Sequence, residues 1–114
     1  MKSLLKIMVA ITLLLSNVDL SAQIKNTKAE TVKIYGNCGM CKKAIEKSAN
    51  IKGIATVDWN KDTKMAILTY DSTKTNQSEI LKKIALAGYD SEKIKAKKED
   101  YDNLPGCCQY DREK

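Results

Sequence analysis

The chain has 114 residues, with 20 lysines plus arginines against 14 acidic residues and no histidine. That length allows one domain, and the missing histidine excludes mixed Cys/His zinc sites and any Ser/His/Asp catalytic set. The net charge of +6 is spread along the chain as lysines with a single arginine and one tryptophan, a solvated surface able to steer an acidic partner but without the pattern of a nucleic-acid binder.

Met1 to Ala22 has the layout of a secretory signal peptide. Lys2 and Lys6 form a basic start, Ile7 to Leu15 an apolar run broken only by Thr12, and Leu20-Ser21-Ala22 ends on a small residue before Gln23. The apolar run is well short of the ~20 residues of a spanning helix, so the expectation is cleavage after residue 22 and export, to the periplasm in a Gram-negative source. Residues 23–30 are polar and without period, and read as a flexible lead-in.

Thr31 to Tyr35 alternates and is rich in β-branched residues, which predicts a first strand with Val32 and Ile34 inward. Gly36 to Met40 is a loop. From Cys41 to about Asn50, Cys41, Ala44, Ile45 and Ser48 follow helical spacing, with Lys42, Lys43, Glu46 and Lys47 on the outer face. Ile54 to Asn60 and Lys64 to Tyr70 predict two further strands around a turn at Asn60 to Thr63, with Val57, Ala66 and Leu68 facing the core. Asn76 is placed as the N-cap of a second helix, with Glu79 at the reciprocal position. Ile80, Leu81, Ile84, Ala85 and Ala87 form its buried stripe and Gly88 closes it. Ile94-Lys95-Ala96 reads as a weak last strand. The order β-α-β-β-α-β predicts an α+β, ferredoxin-like fold, with two helices on one face of a four-stranded antiparallel sheet. Residues 97–114 form a charged tail holding the only proline, Pro105.

The four cysteines come as Cys38-x-x-Cys41 and as the adjacent Cys107-Cys108, poor spacings for loop-closing disulfides. Cys38 and Cys41 fall at a helix N-terminus, where free backbone N–H groups and the helix dipole favour thiolate. A thiolate pair is either a soft-metal clamp or a redox switch. Two thiolates suit low-coordinate Cu(I) or Hg(II), whereas a tetrahedral Zn(II) needs all four cysteines.

The region 31–96 resembles the heavy-metal-associated (HMA) domain family of soft-metal chaperones, transporter N-terminal domains and periplasmic mercury-binding proteins. The resemblance rests on Val32-Lys33-Ile34, on Cys38-x-x-Cys41 opening the first helix, on Gly53 before the second strand, and on Gly88-Tyr89-Asp90 after the second helix. It implies that Cys38 and Cys41 are metal ligands and that Tyr89 lies beside the metal loop. The sequence departs from the family at Gly36, where a methionine is usual, and Met40 instead stands between the two thiols. Met40 is read either as an exposed bystander or as a soft thioether near the ion.

Residues 97–106 can span about 33 Å when extended, enough to return to the Cys38–Cys41 loop. Cys107 and Cys108 therefore have several readings. They complete a three- or four-thiolate site, form a second or intermolecular site, form a disulfide with another cysteine, or remain solvated. Tyr101 and Leu104, three apart, hint at a short helical turn docked on the body.

The function expected is an exported metallochaperone, not an enzyme, that binds and transfers a heavy-metal ion. Cu(I) comes first, with Hg(II) or Zn(II) behind it. The partner expected is a cysteine-containing membrane transporter or efflux component. The chain is expected to be monomeric, with a metal-bridged dimer as the alternative. The competing function is a thiol–disulfide oxidoreductase using Cys38 and Cys41. Against it, no Trp precedes Cys38 and the element order is not that of a thioredoxin.

Overall fold

The computed structural model describes residues 23–112. The signal-peptide reading of 1–22 lies outside the described residues. Strands β1 (Thr27–Lys33), β2 (Ala55–Trp59) and β3 (Met65–Asp71) form an antiparallel sheet in the order β1-β3-β2. Helices α1 (Gly39–Ala49) and α2 (Gln77–Leu86) follow β1 and β3, and a short α3 (Lys98–Asp102) and a 3-10 turn (Gly106–Cys108) follow α2. Among the described residues no helix is long and apolar enough to cross a membrane.

Alternation decides which face of the sheet is covered. Ala55, Val57 and Trp59 of β2 and Ala66, Leu68 and Tyr70 of β3 are buried, while Thr56, Asp58 and Ile67 face solvent. The inward set expected from the sequence is the buried one. In register, Ala66 pairs with Val32 on one side and with Trp59 on the other, so a small residue leaves room for the indole. On α1 the spacing Cys41, Ile45, Ala49 buries one stripe, and on α2 Ile80, Leu81, Ile84 and Ala85 do the same. The side chain of Asn76 accepts the Glu79 N–H at 2.9 Å, the N-cap expected for α2.

Two expectations are corrected. β1 begins at Thr27, four residues ahead of the alternating run, because Thr27 to Glu30 pair with Asp71 to Leu68. Pairing to a long neighbour holds polar residues in strand although their own pattern is silent. The fourth strand does not form, and the sheet has three strands. Beyond β1, Ile34 makes only an isolated bridge to Ser91. The Ser91 hydroxyl accepts the N–H groups of Lys93 and Ile94, and the Ser91 N–H donates to the Ile94 carbonyl, which bends the chain away from β1. The Ala96 N–H then donates to the Asp90 carboxylate instead of to a strand.

Gly88 closes α2 at φ +104°, and a Cβ there would lie 2.7 Å from the Asp100 carbonyl and 2.9 Å from the Leu104 side chain. Glycine is needed both for the left-handed backbone and for the close approach of α3. Gly88→Ala is expected to lower the unfolding free energy by about 2 kcal/mol in urea denaturation of the reduced protein. Gly106→Ala, whose Cβ meets nothing within 4 Å, is expected to leave it unchanged.

Candidate metal centre

The loop that carries the first cysteine pair is fixed at its start by hydrogen bonds from the Ile34 N–H to Lys64 and from the Tyr35 N–H to Asp90, both 2.9 Å. Gly36 follows, buried against Trp59. A Cβ at Gly36 would lie 3.0 Å from two indole carbons and 3.3 Å from the Cys41 Cβ. The Trp59 indole, held by a 2.8 Å bond from its N–H to the Ile34 carbonyl, fills the space a side chain at position 36 would enter. This accounts for glycine where the resemblance implied methionine.

Cys38 is the N-cap residue of α1, with extended backbone (φ −144°, ψ −176°) and its carbonyl accepting the Lys42 N–H. The backbone N–H groups of Cys41 and Met40 face its sulfur and lower its pKa to about 7. Cys41, one α-helical turn in, is fully buried, and its sulfur accepts the Asn37 N–H at 3.4 Å. The two sulfurs are 3.7 Å apart. Lys42, the adjacent cation, does not serve the site. Its ammonium is tied to Glu46, to Asp58 and to the Trp59 carbonyl on the β2 side.

The C-terminal segment returns to this loop and divides the second cysteine pair. Cys108 is buried, and its sulfur accepts the Cys41 S–H at 2.8 Å. Cys38, Cys41 and Cys108 together place three sulfurs within 4.8 Å of one another. Burial, and then the Cys41 sulfur, push the Cys108 thiol up to about 12. Cys107 is exposed and points outward, with its sulfur 3.5 Å from the Met40 sulfur and 4.0 Å from that of Cys108. Its carbonyl accepts the Asn37 side-chain amide at 3.2 Å and lies 3.9 Å from the Cys38 sulfur. Tyr89 is buried beside the cluster. Burial raises its phenol above the ordinary value, and Cys108 and Cys41 add to the shift.

The segment is held by residues the sequence reading did not single out as functional. The Tyr110 hydroxyl donates to the Gly88 carbonyl at 2.9 Å and accepts the Asp90 N–H at 2.7 Å. Its ring stacks on Tyr35 and Tyr89 and meets Tyr101 edge-on at 5.0 Å between centroids. Arg112 grips the Asp90 carboxylate with two N–H groups, at 2.9 and 2.8 Å, and donates to the Ala96 carbonyl at 2.6 Å. The signals available in the sequence were a lone arginine and a tyrosine two residues past the cysteines.

All six residues expected at the site, Cys38, Met40, Cys41, Tyr89, Cys107 and Cys108, meet at one end of the domain. Of the four cysteines, Cys107 is the exposed one, outside the group of three and 4.0 Å from Cys108. A buried group of thiols with no histidine or carboxylate among them is a donor set for soft ions.

Known proteins are similar to the part of the chain that carries Cys38 and Cys41. The heavy-metal-associated domain model matches residues 36–90. The mercuric transport protein periplasmic component of Pseudomonas aeruginosa is 31% identical over 67 residues, which cover 57% of this chain and 74% of that protein. Among solved structures, the CopZ metallochaperone is 32% identical with a TM-score of 0.52, over 56% of this chain and 98% of its own. Oxidized MerP from Ralstonia metallidurans is 31% identical with a TM-score of 0.52, over 58% of this chain and 94% of its own. The family match ends at Asp90, so Cys107, Cys108, Tyr110 and Arg112 all lie beyond it.

Two outcomes follow from this geometry. Alkylation of Cys38 in the metal-free protein is expected to rise with pH through a midpoint of about 7, against 9.0 for an ordinary thiol, while Cys108 stays unreactive until unfolding. Mass mapping after timed quenching reads both. Tyr110→Phe removes a buried hydroxyl from two backbone partners and is expected to cost about 1–3 kcal/mol of stability in urea denaturation.

Proposed function

Starting from the chain's membership of the heavy-metal-associated domain family, we propose that it is an exported carrier of a soft metal ion held by Cys38, Cys41 and Cys108. The ion passes to or from a cysteine-containing membrane transporter or efflux component by thiolate exchange. The observation that carries this reading is the triangle of three sulfurs within 4.8 Å.

Thiolate–metal bonds of ~2.3 Å put the sulfurs of a planar three-coordinate ion about 4.0 Å apart and those of a linear ion about 4.6 Å apart. The 3.7 Å from Cys38 to Cys41 suits the three-coordinate case, and the Cys41–Cys108 contact of 2.8 Å has to open by about 1.2 Å to admit an ion. Cu(I) and Hg(II) both accept few sulfur ligands. Met40, a thioether beside Cys107, favours Cu(I). Zn(II) prefers four donors, and the fourth thiol, Cys107, is turned outward. Since one chain supplies all three sulfurs, the carrier works as a monomer. Tyr89 backs the cluster and orients it.

Support for export comes from the basic-then-apolar layout of 1–22 and from the periplasmic relative. The oxidoreductase alternative is not favoured. The relatives that the chain matches are metal carriers, and a third sulfur from Cys108 suits an ion better than a two-cysteine disulfide exchange.

The reduced, metal-free protein is expected to take up one equivalent of Cu(I) in anaerobic competition with a chelator, with X-ray absorption reporting three sulfur neighbours. Cys38→Ser and Cys41→Ser should each cost more than the ~10–100-fold typical of losing an outer partner. Cys108→Ser should reduce the sulfur count to two. Parent-like affinity in both Cys38→Ser and Cys41→Ser would refute the reading.

A further inference from the structure

Five sulfurs lie in one continuous group, with Met40 and Cys107 as its exposed members. Met40 is 55% exposed, and its sulfur is 3.5 Å from that of Cys107. Cys107 lies 4.0 Å from Cys108, Cys108 2.8 Å from Cys41, and Cys41 3.7 Å from Cys38. Burial divides the group. Cys41 and Cys108 are buried, Cys38 is half-buried, and Cys107 is the exposed thiol.

In a bare Cys-x-x-Cys loop, the thiol that caps the helix is the natural point of attack for an incoming donor. Here the C-terminal turn changes which sulfur a donor meets. The Cys107 carbonyl is held by the Asn37 amide at 3.2 Å and lies 3.9 Å from the half-buried Cys38 sulfur, which seats the turn beside the first pair. The side chain of the same residue reaches Met40. The turn therefore adds a thiol more exposed than Cys38 at the edge of the cluster.

We propose that Cys107, with the Met40 thioether beside it, is the loading site through which a thiol-bound soft ion enters the Cys38–Cys41–Cys108 cluster. This rests on the carrier reading above and adds the route. In the first step the Cys107 thiol gives its proton to water and its sulfur bonds to the ion as one donor sulfur–ion bond breaks. The released donor thiolate takes a proton from water, and Met40 gives the ion a further soft contact while it changes hands. In the second step the Cys108 sulfur displaces the remaining donor sulfur in the same way. In the third, Cys41 and Cys38 each give a proton to water and bond to the ion as its bond to Cys107 breaks, and the released Cys107 thiolate takes a proton back from water. The ion keeps its oxidation state throughout, and no electrons are exchanged. Exchange of this kind is limited by access to the attacking sulfur, so the exposed thiol sets the loading rate while Cys38, Cys41 and Cys108 set the affinity.

The test uses the full reduced chain and a Cu(I)–glutathione complex as donor. Loading is followed by stopped-flow absorption of the sulfur-to-metal charge-transfer band. Cys107→Ser is expected to keep the equilibrium affinity and the three-sulfur X-ray absorption signature of the parent, and to load roughly tenfold or more slowly. Met40→Leu is expected to slow loading by a smaller factor. Loading of Cys107→Ser at the parent rate overturns the proposal and returns the entrance to Cys38. A fall in its sulfur count overturns it too, since Cys107 is then a resident ligand. Failure of the carrier reading is distinct, because in that case the parent itself does not load. Cys107 lies on the surface, and an unchanged thermal transition verifies that the variant is folded.

Discussion

The Tyr110 hydroxyl stands between the Gly88 carbonyl and the Asp90 N–H, where α2 ends and the chain turns back toward β1. Those two backbone groups belong to the segment whose Tyr89 side chain backs the sulfurs. A bond to them positions the C-terminal turn relative to the first cysteine loop, and Arg112 on Asp90 repeats the tie two residues later. The phenol is fully engaged in a buried setting, where an unpaired polar group would be costly, so the arrangement resists alternatives. Without it Cys108 has no reason to sit 2.8 Å from Cys41. The core under the sheet folds by the ordinary burial of α1 and α2, but the third sulfur depends on this anchor.

Much of this was legible in the chain because it follows from period and from local chemistry. Alternation in β2 and β3 divides each strand into two faces and the apolar Val57, Ala66 and Leu68 favour one of them, while the Asn76–Glu79 pair marks the start of α2. The spacing of Cys38 and Cys41 before a helical stripe put both thiols at one helix end. What was not legible depends on contacts distant in sequence. Thr27 to Glu30 have no strand pattern and become strand by pairing with β3. Ile94 to Ala96 have a strand-like composition, but the Ser91 and Asp90 side chains claim the backbone groups a strand would use. The adjacent Cys107 and Cys108 look equivalent in a sequence. Only the 3-10 turn, which sends one inward and one outward, tells them apart.

The electrostatics of the cluster are divided in the same way. Cys38, at the helix start, is held toward thiolate by backbone N–H groups, whereas burial holds Cys108 as a neutral thiol. A metal-free cluster with one charge-ready sulfur and one reluctant sulfur avoids burying several negative charges together. The charge that three thiolates would bring is acceptable only when a cation arrives with them, so binding and deprotonation are one event.

Trp59 is the chain's one tryptophan, and its ring lies against Gly36 and close to the Cys41 Cβ. The packing that excludes a side chain at position 36 also sets the indole beside the loop that carries the sulfur cluster. Heavy ions quench indole emission at short range. The domain thus carries its own optical reporter of occupancy, built from the residue that shapes the loop, with no second tryptophan to dilute the signal.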